Sequence, residues 1–380
     1  MKILVLAPQR LGIREVAKRV GSEWEAMGHD VEYVLPDGAA ARVGGVTVGV
    51  PGIARWWQKW FTRLARNPTE YDFIWTHQPL SPTLPSRDPE LWNHVLVTFH
   101  TTEHAKYELV REGVYPRKLL PYHWVTKQLE RRFYGKLSEL DAEGPQYTVV
   151  APQLREEVAQ FGVGGAVCVP NGLVPPAEHD VEPIREEYGI PDGATLVFNI
   201  GGLNHQKRPV LFAETMAEVC ARNEDVYCVM AGDGPLREAV EAHASEQLRV
   251  LGYVSDDEKW RWFADANVFA SLSAYEGLPV ATLEALSFGC PVVLSDIPAH
   301  RAVIEEYDLN EFALIADIEG AEAGLLDNEF ETMVSHCPVV ILELHRSSLG
   351  EDLTPYVERI RTEYTLLEDF DPVFAFRRSS

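Results

Sequence analysis

Residues 195–208 read TLVFNIGGLNHQKR, and the fold is decided there. The first six are rich in β-branched and aromatic residues, the pattern of a strand buried on both faces. Gly201 and Gly202 stop it, and a helical pattern begins at Arg208. Glycines at the carboxyl end of a strand let the main chain come close to a ligand. Lys207 adds a cation beside a helix start, where free N–H groups suit a phosphate. The same unit then recurs: a strand at 226–231 closed by Gly232-Asp233-Gly234-Pro235, a helix from Leu236, a strand at 249–253, a helix near 257–264, a strand at 268–271, a helix from Val280 and a strand at 291–295. Such alternation predicts a parallel sheet with helices on both faces.

Working outward, the first 150 residues follow the same rhythm. A strand at 3–7 leads through Gly12 to an amphipathic helix ending at Gly28, and strands follow at 31–35, 72–76, 94–99 and 148–151. The opening MKILVLAPQR, with one early Lys and a short apolar stretch, reads as the first buried strand rather than a leader. Residues 169–192 hold Asn171-Gly172, Pro175-Pro176 and Pro191-Asp192-Gly193 in sequence context, and read as a linker with a short helix. The expected domains are therefore 1–168, 169–308 and a tail, 309–380.

Composition narrows the class. With 380 residues, 46% of them hydrophobic, the chain has material for two domains of about 100–200 residues each. No apolar run approaches the ~18 residues of a membrane-spanning helix. Cys168, Cys220, Cys228, Cys290 and Cys337 are scattered, which argues for a reducing, cytoplasmic setting and against a disulfide framework or structural zinc. The net charge of −24 repels nucleic acid, and the shortage of Lys among the bases is a salt-adapted, halophilic composition. Residues 1–150 carry 19 Lys and Arg against 17 Asp and Glu, and the remainder 15 against 41, so the halves meet different surroundings.

A third stretch, Ser273-Ala274-Tyr275-Glu276-Gly277-Leu278-Pro279-Val280-Ala281-Thr282-Leu283-Glu284, puts one carboxylate in a loop and another about one turn into the following helix. A carboxylate accepts hydrogen bonds from vicinal hydroxyls, and the helix start offers N–H groups to a phosphate. Singly these features are common; in this order they are specific. They resemble the family 4 glycosyltransferases of the GT-B fold, closely over about residues 150–305 and more loosely over 1–150.

That resemblance implies an α/β fold with two Rossmann-like domains facing across a cleft, the acceptor on the first and a nucleotide diphosphate sugar on the second. Glu276 and Glu284 match the family's E-x7-E pair, on donor sugar and ribose respectively. Lys207 matches the cation on the diphosphate, and His100 in Phe99-His100-Thr101 the histidine beside the sugars. Catalysis is thus expected of His100, Lys207 and Glu276. Donor binding is expected of Gly12, Gly201, Gly202, Lys207, Gly232, Gly234, Glu276, Gly277, Leu278, Pro279, Val280 and Glu284. The implied reaction is retaining sugar transfer to an acceptor hydroxyl in glycan, glycolipid or cell-surface polysaccharide synthesis, with no metal or other cofactor. Gly202 stands where the family carries an Arg, and Gly12 alone represents its first glycine pair. A non-catalytic nucleotide- or carbohydrate-binding relic is the alternative, and a SAM-dependent methyltransferase comes third.

Other signals are weighed beside these. His100-Thr101-Thr102-Glu103-His104 spells a zinc-protease motif, but the first His follows a strand directly instead of sharing a helix face with the second. Ile53, Trp56, Trp57, Trp60, Phe61 and Leu64 form one helical stripe, read as a helix packed on the sheet. The alternative is peripheral docking on a membrane through Trp56, Trp57 and Trp60, with the basic stretch 117–136 in support and a lipid-linked acceptor as partner. In the tail, Asp317, Glu319, Gly320, Ala321 and Glu322 resemble the D-x-E-G-A-E motif of FkbM-type methyltransferases, without the upstream cofactor loop. The tail is expected to supply strands and a helix that complete the second domain. Asp369 and Asp371 form a D-x-D away from any glycine loop.

Overall fold

The computed structural model describes residues 1–7, 11–35, 41–43, 46–48, 50–77, 86–140, 144–173, 175–176, 181–306, 313–316, 330–331, 339–343, 353–370 and 373–378. The chain divides into two compact units. One is Met1–Val174 with Tyr275–Val280, the other Pro175–Ala274 with Ala281–Ser380.

In the first unit the elements run β1 (Lys2–Leu6), α1 (Leu11–Ala26), β2 (Asp30–Val34), β3 (Ala41–Val43), β4 (Val46–Val48), α2 (Val50–Leu64), β5 (Phe73–His77), α3 (Pro89–Asn93), β6 (Val95–Phe99), α4 (Glu103–Arg111), α5 (Leu120–Ser138), β7 (Gln146–Val149), α6 (Leu154–Ala159) and β8 (Val167–Cys168). Six strands form a parallel sheet in the order β2-β1-β5-β6-β7-β8, while β3 and β4 pair antiparallel apart from it. Alternate side chains serve opposite faces of each strand. Leu4, Leu6, Ile74, Val97, Phe99 and Val149 join α2, α5 and α6 in one core, and Ile3, Val5 and Trp75 join α1 in another. The sheet extends one strand further than 148–151, because Val167–Cys168 pairs with Thr148–Val149. Two residues carry no periodicity, so that strand is invisible to pattern reading.

The tryptophan stripe of α2 faces this core. Trp57, Phe61 and Leu64 are fully buried, and Trp56 and Trp60 pack partly buried against them. Docking on a membrane through Trp57 would mean extracting it from the core, so α2 is a packing helix.

The second unit repeats the design with β9 (Thr195–Ile200), α7 (Pro209–Arg222), β10 (Val226–Ala231), α8 (Arg237–Glu241), β11 (Leu248–Gly252), α9 (Asp256–Asp265), β12 (Val268–Ser271), α10 (Val280–Ser287), β13 (Val292–Leu294) and α11 (Pro298–Glu306). Its five parallel strands lie in the order β11-β10-β9-β12-β13. Leu196, Phe198, Val229 and Ala231 meet Trp262 and Phe263 of α9, while Cys228 and Met230 meet Phe212 and Met216 of α7 on the other side. Ser255 caps α9 by accepting from Glu258 N at 3.2 Å, with Asp256, Asp257 and Glu258 in the first turn, where the helix dipole favours acids.

The tail does not extend this sheet. Strands β14 (Ala313–Ala316), β15 (Val339–Glu343), β16 (Tyr364–Phe370) and β17 (Val373–Arg378) form their own sheet in the order β14-β15-β17-β16, with α12 (Thr354–Arg361) leading into β16. The 317–322 motif and Asp371 lie outside the described residues.

Candidate donor site and its supports

In the second unit the two glycine turns interlock. Gly201 N donates to Ala231 O and Leu203 N to Asp233 O, both at 3.0 Å, and Leu236 N donates to Leu203 O at 3.0 Å. Gly232 has φ +131°, and a Cβ there would lie 1.9 Å from Gly201 O; one on Gly234 would lie 2.5 Å from Leu203 O. Those two positions are glycine because the facing backbone leaves no room for a side chain. Gly201 and Gly202 differ. A Cβ on Gly201 would meet only the Lys207 stem at 3.8 Å, and one on Gly202 the Asn204 amide nitrogen at 3.1 Å.

Lys207 closes a 3₁₀ turn, His205–Lys207, and Arg208 follows with φ 49° and ψ 45°. A left-handed non-glycine residue is uncommon and costs free energy. Here Pro209 disfavours the right-handed helical region for its predecessor, and the bend turns the chain into α7. The turn thus sets Lys207 against the first glycine of the loop.

Glu284 lies on α10 and is nearly buried. Lys259 Nζ reaches its Oε1 at 2.7 Å, meets Asp256 Oδ1 at 3.1 Å and stands 4.3 Å from the Trp260 ring centroid. Lys259 is absent from the sequence expectations, since nothing in a 25-residue separation marks the pair.

Glu276 belongs to the Tyr275–Val280 loop, which groups with the first unit. It too is nearly buried. Gly277 sits on the main chain of His100, where a Cβ would lie 1.9 Å from the His100 carbonyl oxygen. Gln153 Nε2 donates to Gly277 O at 2.7 Å, and the Tyr275 hydroxyl donates to Glu157 at 3.2 and 3.3 Å. Glu157 also accepts from Thr102 Oγ1 at 2.6 Å. Burial raises the Glu157 pKa, and the two hydroxyl donors oppose that only in part. Leu278 and Tyr275 pack against the first unit's core. Gln153 and Glu157 escaped sequence reading; their place just after β7, at the carboxyl end of a parallel strand, is the signal that could have found them.

His100 follows β6, and its Nε2 lies 2.8 Å from Nδ1 of His77, the last residue of β5. Behind it, Thr102 caps α4 by accepting from Ala105 N at 3.0 Å, and Glu130 Oε2 accepts from Glu103 N at 2.8 Å. Glu103 is buried with Lys106, Thr126 and His123 around its carboxylate. Among the described residues no three His, Cys, Asp or Glu are grouped to hold a metal ion. Gly12 lies in the first turn of α1, and a Cβ there would meet nothing within 4 Å.

The structure therefore gathers Gly201, Gly202, Lys207, Gly232 and Gly234 in the second unit, with Glu284 pinned by Lys259. It gathers His100, Glu276 and Gly277 in the first.

Residues 180–323 match the family model described as glycosyl transferases group 1. The chain is 26% identical over 264 residues to a phosphatidyl-myo-inositol mannosyltransferase of Mycolicibacterium smegmatis, covering 68% of this chain and 62% of that one. Thus it spans less than two thirds of that curated relative's length. In three dimensions it is similar to sucrose-phosphate synthase from Thermosynechococcus elongatus, with TM-score 0.59, 13% identity, and 95% and 94% of the two chains covered. It is also similar to Anabaena HepE in complex with UDP-glucose, with TM-score 0.51, 15% identity, and 95% and 98% covered. These likenesses establish the GT-B fold.

Proposed function

We propose, from the match of residues 180–323 to the family model of glycosyl transferases group 1, that the chain transfers a sugar, with retention, from a nucleotide diphosphate sugar to an acceptor hydroxyl in glycan, glycolipid or cell-surface polysaccharide synthesis. The observation that carries the reading is the pair of interlocked glycine turns with Lys207 beside them. The close main chain of these side-chain-free turns and the Lys207 cation, at the carboxyl ends of β9 and β10, make a seat for a diphosphate. Lys207 would stabilise the charge that develops on the leaving diphosphate, which is the main electrostatic task of such a reaction. Glu284 would accept from the ribose hydroxyls, and Glu276 and His100 would meet the transferred sugar.

A nucleotide at 100 times its dissociation constant stabilises its protein by about 2.7 kcal/mol. The test is thermal unfolding in high salt with UDP, GDP or ADP, with Glu284→Ala in parallel. A shift with one nucleotide, lost in the variant, together with sugar transfer from the matching donor, is expected. A flat response to all three would overturn the donor site. A shift without turnover would favour a binding relic.

The acceptor side carries a second proposal, a lipid-linked acceptor met at a membrane surface. The face of α5 supports it. Trp124 and Val125 are 53% and 46% exposed, with exposed Arg131 and Arg132 two turns on and exposed Arg117 and Lys118 in the turn that precedes the helix, while Glu130 on the opposite side is buried. Among the described residues no helix is long and apolar enough to cross a membrane. Peripheral contact through an interfacial Trp flanked by bases suits such a face.

A further inference from the structure

His77 and His100 close neighbouring parallel strands, with His77 in register with Thr98. Their ring centroids are 5.1 Å apart with the planes inclined by 32°, and Nδ1 of His77 lies 2.8 Å from Nε2 of His100. His77 is fully buried, and the Trp75 ring lies against it, inclined by 53° with centroids 4.2 Å apart. Trp75 is itself fixed, because its Nε1 donates to Thr98 Oγ1 at 2.7 Å, which meets Thr148 Oγ1 at 2.7 Å. This chain of contacts across β5, β6 and β7 leaves the His77 ring little freedom.

Between two neutral imidazoles one nitrogen donates and the other accepts. Burial, with the neighbouring His100, holds the His77 pKa well below its usual value, so His77 stays neutral at physiological pH. A carboxylate in its place would draw His100 into the charged form. A neutral, immobile imidazole orients without charging. That difference matters for a group that must meet sugar hydroxyls.

We propose that His77 is the positioning residue of His100: it holds Nε2 and keeps the ring in one plane and one tautomer as it meets the sugar. The sugar contact rests on the glycosyltransferase reading; the hydrogen bond and the tautomer do not.

The test uses the full chain with 15N-labelled histidine, as wild type, His77→Leu and His77→Asn. Asn places a polar atom near the position of Nδ1, so it keeps the hydrogen bond and serves as the folded control. In the wild type a 15N–15N coupling across the hydrogen bond is expected, with His100 in a single tautomer. In His77→Leu the coupling vanishes, His100 averages between tautomers, and kcat falls roughly 10- to 100-fold, as for a misplaced reacting group. Nucleotide affinity is expected to be unchanged in both variants, and His77→Asn to restore most of kcat. No coupling in the wild type, or a single unchanged tautomer in His77→Leu, would overturn the proposal. A chain inactive with every donor would overturn the functional reading, while the spectra would still decide the pair.

Discussion

At the scale of single residues, the sharpest constraint is Gly277. Its Cα rests on the His100 carbonyl, and the backbone oxygen has no rotamer through which to retreat. Gly277→Ala is therefore expected to push the Glu276 loop off His100 and cut turnover by roughly 100-fold, the scale of a 1 Å displacement of a reacting group. Nucleotide affinity should change little, since the glycine turns and Glu284 lie in the other unit. Turnover within twofold of the wild type would show that this contact does not position Glu276. Such a contact is illegible in the sequence, where Gly277 looks like any loop glycine beside a strand.

At the scale of elements, α4 and α5 enclose a buried charge cluster. Burial pushes the Glu103 carboxyl up, but the Lys106 ammonium, the His123 ring 3.6 Å away and hydrogen bonds from Lys106 and Thr126 outweigh it and hold it far below its ordinary 4.5. The folded state then binds fewer protons than the unfolded chain, so this contribution is present above about pH 4.5 and is lost as pH falls below it. Lys106→Met removes the ammonium from a buried carboxylate that keeps only Thr126 and His123 beside it, and should cost up to about 3–5 kcal/mol at pH 7. Its melting temperature should also lose less than that of the wild type between pH 5 and pH 3, since Glu103 would then fold protonated. Parallel acid profiles for the two proteins would refute the pairing. The strands themselves were largely legible. Thr195–Ile200, Val226–Ala231 and Val268–Ser271 run as their apolar patterns indicate, because a strand buried on both faces advertises itself along the chain. Partnerships such as Lys259 with Glu284, or Gln153 with Gly277, join residues far apart in sequence and leave no periodic mark.

At the scale of the whole molecule, charge is unevenly shared: residues 1–150 carry 19 bases and 17 acids, the rest 15 and 41. The exposed face of α5 lies in the near-neutral part, so it can approach an anionic surface that the acidic part avoids. Vesicles containing phosphatidylglycerol are expected to bind the wild type at low salt. Trp124→Ala should weaken that binding, and charge reversal of Arg117, Lys118, Arg131 and Arg132 together should abolish it. Purely zwitterionic vesicles should bind far less. Because charge is screened within about 10 Å at 0.1 M salt while apolar contact is not, the Trp124 contribution should persist as salt rises. Unchanged binding after charge reversal would sink the membrane proposal. The sequence marked the basic stretch but not the exposure of Trp124, which depends on how α5 lies against its neighbours.

The interlocked turns at Gly201 and Gly232 also set how this chain can diversify. At Gly232 and Gly234 the opposing backbone excludes every side chain, so selection has nothing to vary there. At Gly202 a Cβ would press on the Asn204 side-chain amide at 3.1 Å and touch Asp233 O only at 4.0 Å, so a longer side chain, an Arg included, can grow from it once that amide shifts. Adaptation to a new donor would be channelled through that position, and a library randomised at Gly202 should yield folded, functional members where one randomised at Gly232 yields almost none.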